Sequence, residues 1–255
     1  ANTVVLLSVG RLAAEKNLDL VVTTYQTLQR SGRSVRLVFA GDGPYRKKLE
    51  EDCPQAIFMG MCTHDQLALA YASADLFLFT SLTETFGNVT LEALAPYRVA
   101  FTRPEGDPQP MAYLDSDANR SGGAFDIQLQ VGLQTPQMRA AGQPDASICR
   151  TSYRHAYWTV AQMVTHHTVN GCNLQPGDLF GSGTLSGPTL DQAGALIELT
   201  TGGKNPIALP NGEQRTWLED GDSVVLRGWC EREGAARIGF GECVGTVLPA
   251  RALKG

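Results

Sequence analysis

The stretch SLTETFGNVTLEALAPYRVAFTRPEGDPQP, Ser81–Pro110, decides how the rest of the chain is read. Its first half is a polar turn that runs into a helix, the form expected beside a bound nucleotide. Its second half is proline-rich and irregular. Before it, strand and helix signals alternate; after it, short strand signals are separated by Gly, Pro and Asn-Gly turns. One compact domain rarely changes texture at a single point. The sequence therefore predicts two units, 1–95 and 96–255, with the seam within 89–95.

Working backwards from the seam, TVVLLSVG is a continuous apolar run ending in Gly10, the mark of a strand buried on both faces. NLDLVVTTYQTLQRSG follows, with Leu18, Val21, Val22, Tyr25 and Leu28 at helical spacing and Gly32 as its stop. VRLVFAGDG reads as a second buried strand, YRKKLEED as a short helix and AIFMG as a third strand. THDQLALAYASA reads as a helix capped by Thr63, DLFLFTS as a fourth strand, and GNVTLEALA as the opening of another helix. Strands alternating with helices predict a doubly wound α/β sheet, an incomplete Rossmann-like lobe. Downstream, GAFDIQLQVGLQT alternates with period two, YWTVAQMVTHHTVNG is helical, and ALIELT, PIALPNGEQRTWL, SVVLRGWC, RIGFG and GTVLPA read as strands. A β-rich α+β domain is the expectation there.

The totals narrow the functional classes. A net charge of −5 offers no global attraction to nucleic acid or to an anionic membrane. No apolar run approaches the roughly 18 residues that span a bilayer, and no leader precedes the first strand signal, so a cytoplasmic address is the default expectation. The six cysteines are scattered, with no C-x-x-C pair, which reads as reduced, mostly buried thiols.

Open parallel sheets bind ligands at the carboxyl ends of their strands, and here those ends carry GRLAAEK, GDGP and SLTETFGN. Arg11 and Lys16 put cations near the first crevice, and Gly87 and Asn88 open a helix whose free N–H groups suit a phosphate. Glu84 and Glu92 lie eight residues apart, roughly 12 Å along a helix axis. That is too far to act on one atom, but it suits the two ends of a long ligand. A helix-entry Glu and an exposed helical Glu are the plain alternative.

Taken together, SVGRLAAEKNLDLVV, LVFAGDGP and ASADLFLFTSLTETFGNVTLEALA resemble the nucleotide-sugar lobe of the retaining GT-B glycosyltransferases, the glycosyl transferases group 1 family. The resemblance implies that Arg11 and Lys16 contact a diphosphate, Glu84 the donor sugar and Glu92 the ribose. Phe86, Gly87 and Asn88 would present backbone donors to the phosphates, with no metal. The family has a preceding acceptor lobe and, past the second Glu, a further strand and helix. PYRVAF imitates that strand, and nothing beyond it fits.

The other half resembles a second family. YWTVAQMVTHHTVNGCNLQPGDLFGSGTLSGP, ALIELT, WLEDGDSVVLRGWC and RIGFGECVGTVLPA are similar to the C-terminal part of fumarylacetoacetase, from about Val89 to Ala250. That family hydrolyses the carbon–carbon bond of fumarylacetoacetate to fumarate and acetoacetate in tyrosine catabolism. The resemblance implies that Glu198 orients a water-activating histidine and that Thr184 binds a substrate carboxylate. Read as a strand, ALIELT puts Glu198 on one face with Leu196 and Thr200. His166 and His167 are adjacent, about 100° apart around a helix, and would not chelate one ion together. The family uses a divalent cation, Ca or Mg, held by a carboxylate cluster. Those ligands, the base histidine and the substrate-gripping Arg and Lys all precede the matched portion, so no cofactor is expected to be retained. The E-x-E of Glu231 and Glu233 does not correspond to it. A homodimer through this half is a further implication.

Three readings follow: a fumarylacetoacetase-family hydrolase expected to be inactive as it stands, a glycosyltransferase fragment that binds a nucleotide sugar, or a non-functional fusion of two truncated enzymes.

Overall fold

A computed structural model of the chain describes residues 3–81, 88–175, 178–235 and 237–250. The chain divides into two compact units. One is Ala1–Tyr97 with Gly171–Phe180 and Glu231–Ile238, and the other is Arg98–Asn170 with Gly181–Cys230 and Gly239–Gly255.

The first unit alternates as its sequence predicts: β1 (Val4–Val9), α1 (Leu18–Arg30), β2 (Val35–Ala40), α2 (Arg46–Asp52), β3 (Ile57–Gly60), α3 (His64–Ser73), β4 (Leu76–Phe77) and α4 (Asn88–Leu94). The strands form one parallel sheet in the order β3-β2-β1-β4. Helix α1 buries Leu18, Val21, Val22 and Tyr25, the stripe its spacing predicts, against Leu6, Leu37, Phe39 and Leu49. Burial pushes the Tyr25 phenol up.

The sheet margins are thinner than the sequence suggests. The strand expected over DLFLFTS pairs only at Leu76–Phe77. Leu6 and Leu7 are both buried in β1, whereas Arg36 in β2 and Ile57 and Met59 in β3 reach solvent. Helix α3 forms on its Thr63 capping box, with Thr63 Oγ1 accepting from the Gln66 amide at 3.3 Å. Yet none of its residues is buried, and Leu69 is 66% exposed. Among the described residues, the packed core of this sheet lies on the face that α1 covers.

The second unit opens with β5 (Arg98–Val99), α5 (Asp117–Gly122), β6 (Ala124–Phe125), β7 (Gln128–Gln134), α6 (Pro136–Ala140), β8 (Ala146–Ser152) and α7 (Val160–Thr168). It continues with α8 (Leu196–Leu199), β9 (Ile207–Ala208), β10 (Gln214–Arg215), β11 (Ser223–Cys230) and β12 (Ile238–Thr246). The main sheet has the order β12-β11-β7-β8, with β7 antiparallel to β8 and β11. RIGFG and GTVLPA are not two strands: one strand, β12, runs from Ile238 through Thr246. The PYRVAF segment does not extend the parallel sheet. Its Arg98 and Val99 pair antiparallel with Phe125 and Ala124 of β6.

ALIELT is also corrected. It forms the one-turn helix α8, not a strand. Leu199 and Thr200 are buried, the Thr200 hydroxyl donates to the Leu196 carbonyl, and the chain then turns left-handed at Thr201, φ 51°. A short apolar run fits either period, and the turn that follows it selects the helix.

Candidate functional site

In the first unit the order of the strands reverses at β1, because β2 and β4 flank it on opposite sides. Such a switch point opens a crevice at the carboxyl ends of the strands. The turns there interlock through the backbone. The Gly10 amide donates to the Ala40 carbonyl, Leu12 to Asp42, Gly41 to Gly60 and Tyr45 to Leu12, at 2.8–3.0 Å. This approach excludes side chains: a Cβ on Gly41 would lie 2.0 Å from the Gly10 carbonyl oxygen, and one on Gly43 would lie 2.4 Å from that of Leu12. The Thr80 hydroxyl donates to the Lys16 carbonyl at 3.0 Å, which ties the turn after β1 to the segment after β4.

Of the residues predicted for a nucleotide sugar, Arg11 is exposed on the turn after β1 and Lys16 is half-buried at its end. Asn88 is the first residue of α4, and Glu92 is exposed on the same helix. Burial pushes the Tyr71 phenol up, and the Glu92 charge adds to the shift. Glu84, Phe86, Gly87 and the side chain of Asn88 lie outside the described residues. The described part thus brings Arg11 and Lys16 to the switch point.

In the second unit Glu198 is exposed on α8, and its Oε2 accepts from the Ser186 hydroxyl at 2.6 Å. Ser186 Oγ in turn accepts from the Gly194 amide at 3.0 Å, so Ser186 aligns the carboxylate against a fixed backbone donor. Thr184 is exposed two residues earlier, next to Gly183 at φ 81°. The expected carboxylate and hydroxyl therefore lie on one Ser186-bearing turn and the helix it holds. Sequence reasoning missed Ser186. Its only signal is a small hydroxyl inside GSGTLSG, a pattern that any polar turn could carry. Burial pushes the nearby Cys149 thiol up, with help from the Asp191 and Glu198 charges.

His166 is engaged structurally: its Nδ1 and the Tyr113 hydroxyl share a 3.0 Å hydrogen bond, and the two rings stack with a 7° interplanar angle. Glu231 pairs with Arg237 at 3.2 Å, and Glu231 and Glu233 are both exposed. Among the described residues no three His, Cys, Asp or Glu side chains converge as a metal site would require. Cys53, Cys149 and Cys230 are buried free thiols, whereas Cys172 and Cys243 are exposed, so burial covers half of the six. No helix among the described residues is long and apolar enough to cross a membrane.

Two family models match the chain in succession. Residues 3–106 match "Glycosyl transferases group 1" and residues 124–248 match "Fumarylacetoacetate (FAA) hydrolase C-terminal". Among curated proteins, the fumarylacetoacetases of Bos taurus and Homo sapiens are 47% and 46% identical over 162 residues, which is 64% of this chain and 36% of each relative. That of Dictyostelium discoideum is 43% identical over 177 residues, 66% of this chain and 39% of the relative. The chain thus spans little more than a third of the length of the curated relatives it matches. Among solved structures, the catalytic domain of cholesterol-alpha-glucosyltransferase from Helicobacter pylori matches with TM-score 0.34 and 21% identity. That match covers 39% of this chain and 64% of that one.

Proposed function

We propose that this chain joins a partial nucleotide-sugar lobe to the C-terminal part of a fumarylacetoacetase, and that the 255-residue polypeptide turns over neither family's substrate. Its larger half is of the type that hydrolyses the carbon–carbon bond of fumarylacetoacetate. Glu198 is the positioning carboxylate of that chemistry and Thr184 the hydroxyl that meets a substrate carboxylate.

The observation that carries the proposal is the environment of Glu198. Its hydrogen-bonding partner is the Ser186 hydroxyl, a neutral group that cannot take a proton from water at neutral pH. The divalent cation that the fumarylacetoacetase resemblance implies does not fit the residues described. A hard cation needs six to eight oxygen ligands or a few carboxylates with water, and no cluster of three candidate ligands is present among them.

The glycosyltransferase reading rests on the interlocked turns at β1 and on Arg11 and Lys16. They supply a cationic, backbone-lined crevice for a diphosphate, which is a binding site and not a complete transfer site.

Calorimetric titration of the purified chain with CaCl₂ and with MgCl₂ tests the hydrolase part. No saturable binding is expected up to millimolar cation. A saturable site that Glu198→Gln or Glu231→Gln abolishes would overturn it.

A further inference from the structure

Within the second unit, a cavity of about 380 Å³ is unused by either family reading. Its wall is formed by Arg103, Met111, Tyr113, Tyr157, Trp158 and His166, with Met163 and three prolines or leucines filling the gaps. Two ring systems face it. Tyr113 stacks on His166 with centroids 6.2 Å apart, and Tyr157 meets Trp158 edge-on at 5.0 Å. Tyr157 and Trp158 are 45% and 40% exposed and Met111 is 63% exposed, an unusual amount of aromatic and thioether surface to leave facing water.

The charge in this wall has one sign. Arg103 lines the cavity, and among the described residues no Asp or Glu does. The guanidinium lies over both rings, its Cζ 4.9 Å from the Tyr157 centroid and 5.1 Å from that of Trp158. Its Nη2 donates to the Tyr157 hydroxyl at 2.7 Å and reaches Asp107 only at 3.4 Å. Asp107 Oδ2 already accepts from the Tyr157 hydroxyl at 2.5 Å. Arg103 Nη1 is buried without a hydrogen-bond partner among the described residues. An adjoining cavity of about 460 Å³ shares Arg103 and is lined in addition by Arg120, Asp107 and Asp115.

We infer that the aromatic cavity at Arg103 binds a small aromatic carboxylate, its ring against Tyr113, Tyr157 and Trp158 and its carboxylate on the Arg103 guanidinium. The volume lies in the range of small-molecule sites. The rings supply flat apolar area, and Arg103 Nη1, which no acceptor among the described residues holds, supplies a charged donor for a carboxylate. The site is independent of Glu198, and its occupation requires no turnover.

The probe is 2-naphthoate, titrated calorimetrically against the whole chain beside its neutral counterpart 2-naphthalenemethanol. The expected result is saturable binding of naphthoate, at least about tenfold tighter than the alcohol, as one charge-assisted hydrogen bond would give. Arg103→Gln should bring the two affinities within about twofold, and Trp158→Ala should weaken both. Equal affinities in the unsubstituted chain would overturn the inference, as would absent saturation or a naphthoate preference that survives Arg103→Gln. The comparison of the two probes on the unsubstituted chain decides the matter even if a variant fails to fold.

Discussion

Asp222 has no exposed surface and carries three hydrogen bonds. It accepts from Arg215 Nε at 2.8 Å, from Arg215 Nη2 at 3.1 Å and from the Glu219 amide at 2.9 Å. The Arg215 guanidinium is 6% exposed, and the bond to Asp222 is the first cause of its raised pKa. A buried pair of this kind adds little net stability against an apolar replacement, yet removing one member leaves an uncompensated charge. Asp222→Ala should destabilise the second unit by about 3–5 kcal/mol, read as a fall in the denaturant midpoint of the transition reported by β7 and β11. An unchanged midpoint would mean that Glu213, at 3.3 Å, and Glu219, at 3.4 Å, hold the guanidinium by themselves. The sequence reading singles out neither member: Asp222 lies in WLEDGDSV and Arg215 two residues before that stretch. Which of three neighbouring carboxylates is buried depends on the tertiary path of Arg215, and no local pattern carries that information. The residue scale of the candidate site was similarly uneven. Glu198 and Thr184 are expectations carried by family resemblance, while Ser186, the hydroxyl that bonds Glu198, had no distinguishing signal in the sequence.

The two capping boxes separate local signal from packing. Both Thr63 on α3 and Thr159 on α7 accept from the amide three residues on, a Gln in each case, and each donates its own backbone N–H back to the side-chain oxygen of that Gln. Thr63 is exposed, whereas Thr159 is 2% exposed and its hydroxyl also donates to Asn119 Oδ1 at 2.7 Å. Thr159→Ala removes a cap, worth about 1–2 kcal/mol, and also strands a buried amide oxygen. Thr63→Ala should cost about 0.5–1 kcal/mol. Amide hydrogen exchange in α7 and α3 checks the contrast, and equal costs would contradict it. Elements of this length were legible because several turns repeat one period. Helix α8 was not, because L-I-E-L is too short to distinguish two residues per repeat from 3.6. The shortened β4 and the exposed α3 had no sequence signal either. Their apolar residues are present, but what would pack against them is not a property of the segment itself.

For the whole molecule, the change of texture near Ser81–Pro110 was the most informative feature. It corresponds to a passage from a parallel sheet ending at β4 to antiparallel pairing that begins with β5 and β6. Helix α4 lies inside the first family match, which runs to residue 106, and the second begins at residue 124. The first unit places Arg11 and Lys16 on the turn after β1, and in the second the Ser186 hydroxyl holds Glu198. The most direct test is a turnover assay of the purified 255-residue chain with fumarylacetoacetate in the presence of Ca²⁺ or Mg²⁺, with fumarate quantified by proton NMR. No fumarate above the uncatalysed rate is the predicted result. Fumarate formed in proportion to protein, and lost in Glu198→Gln, would contradict the account.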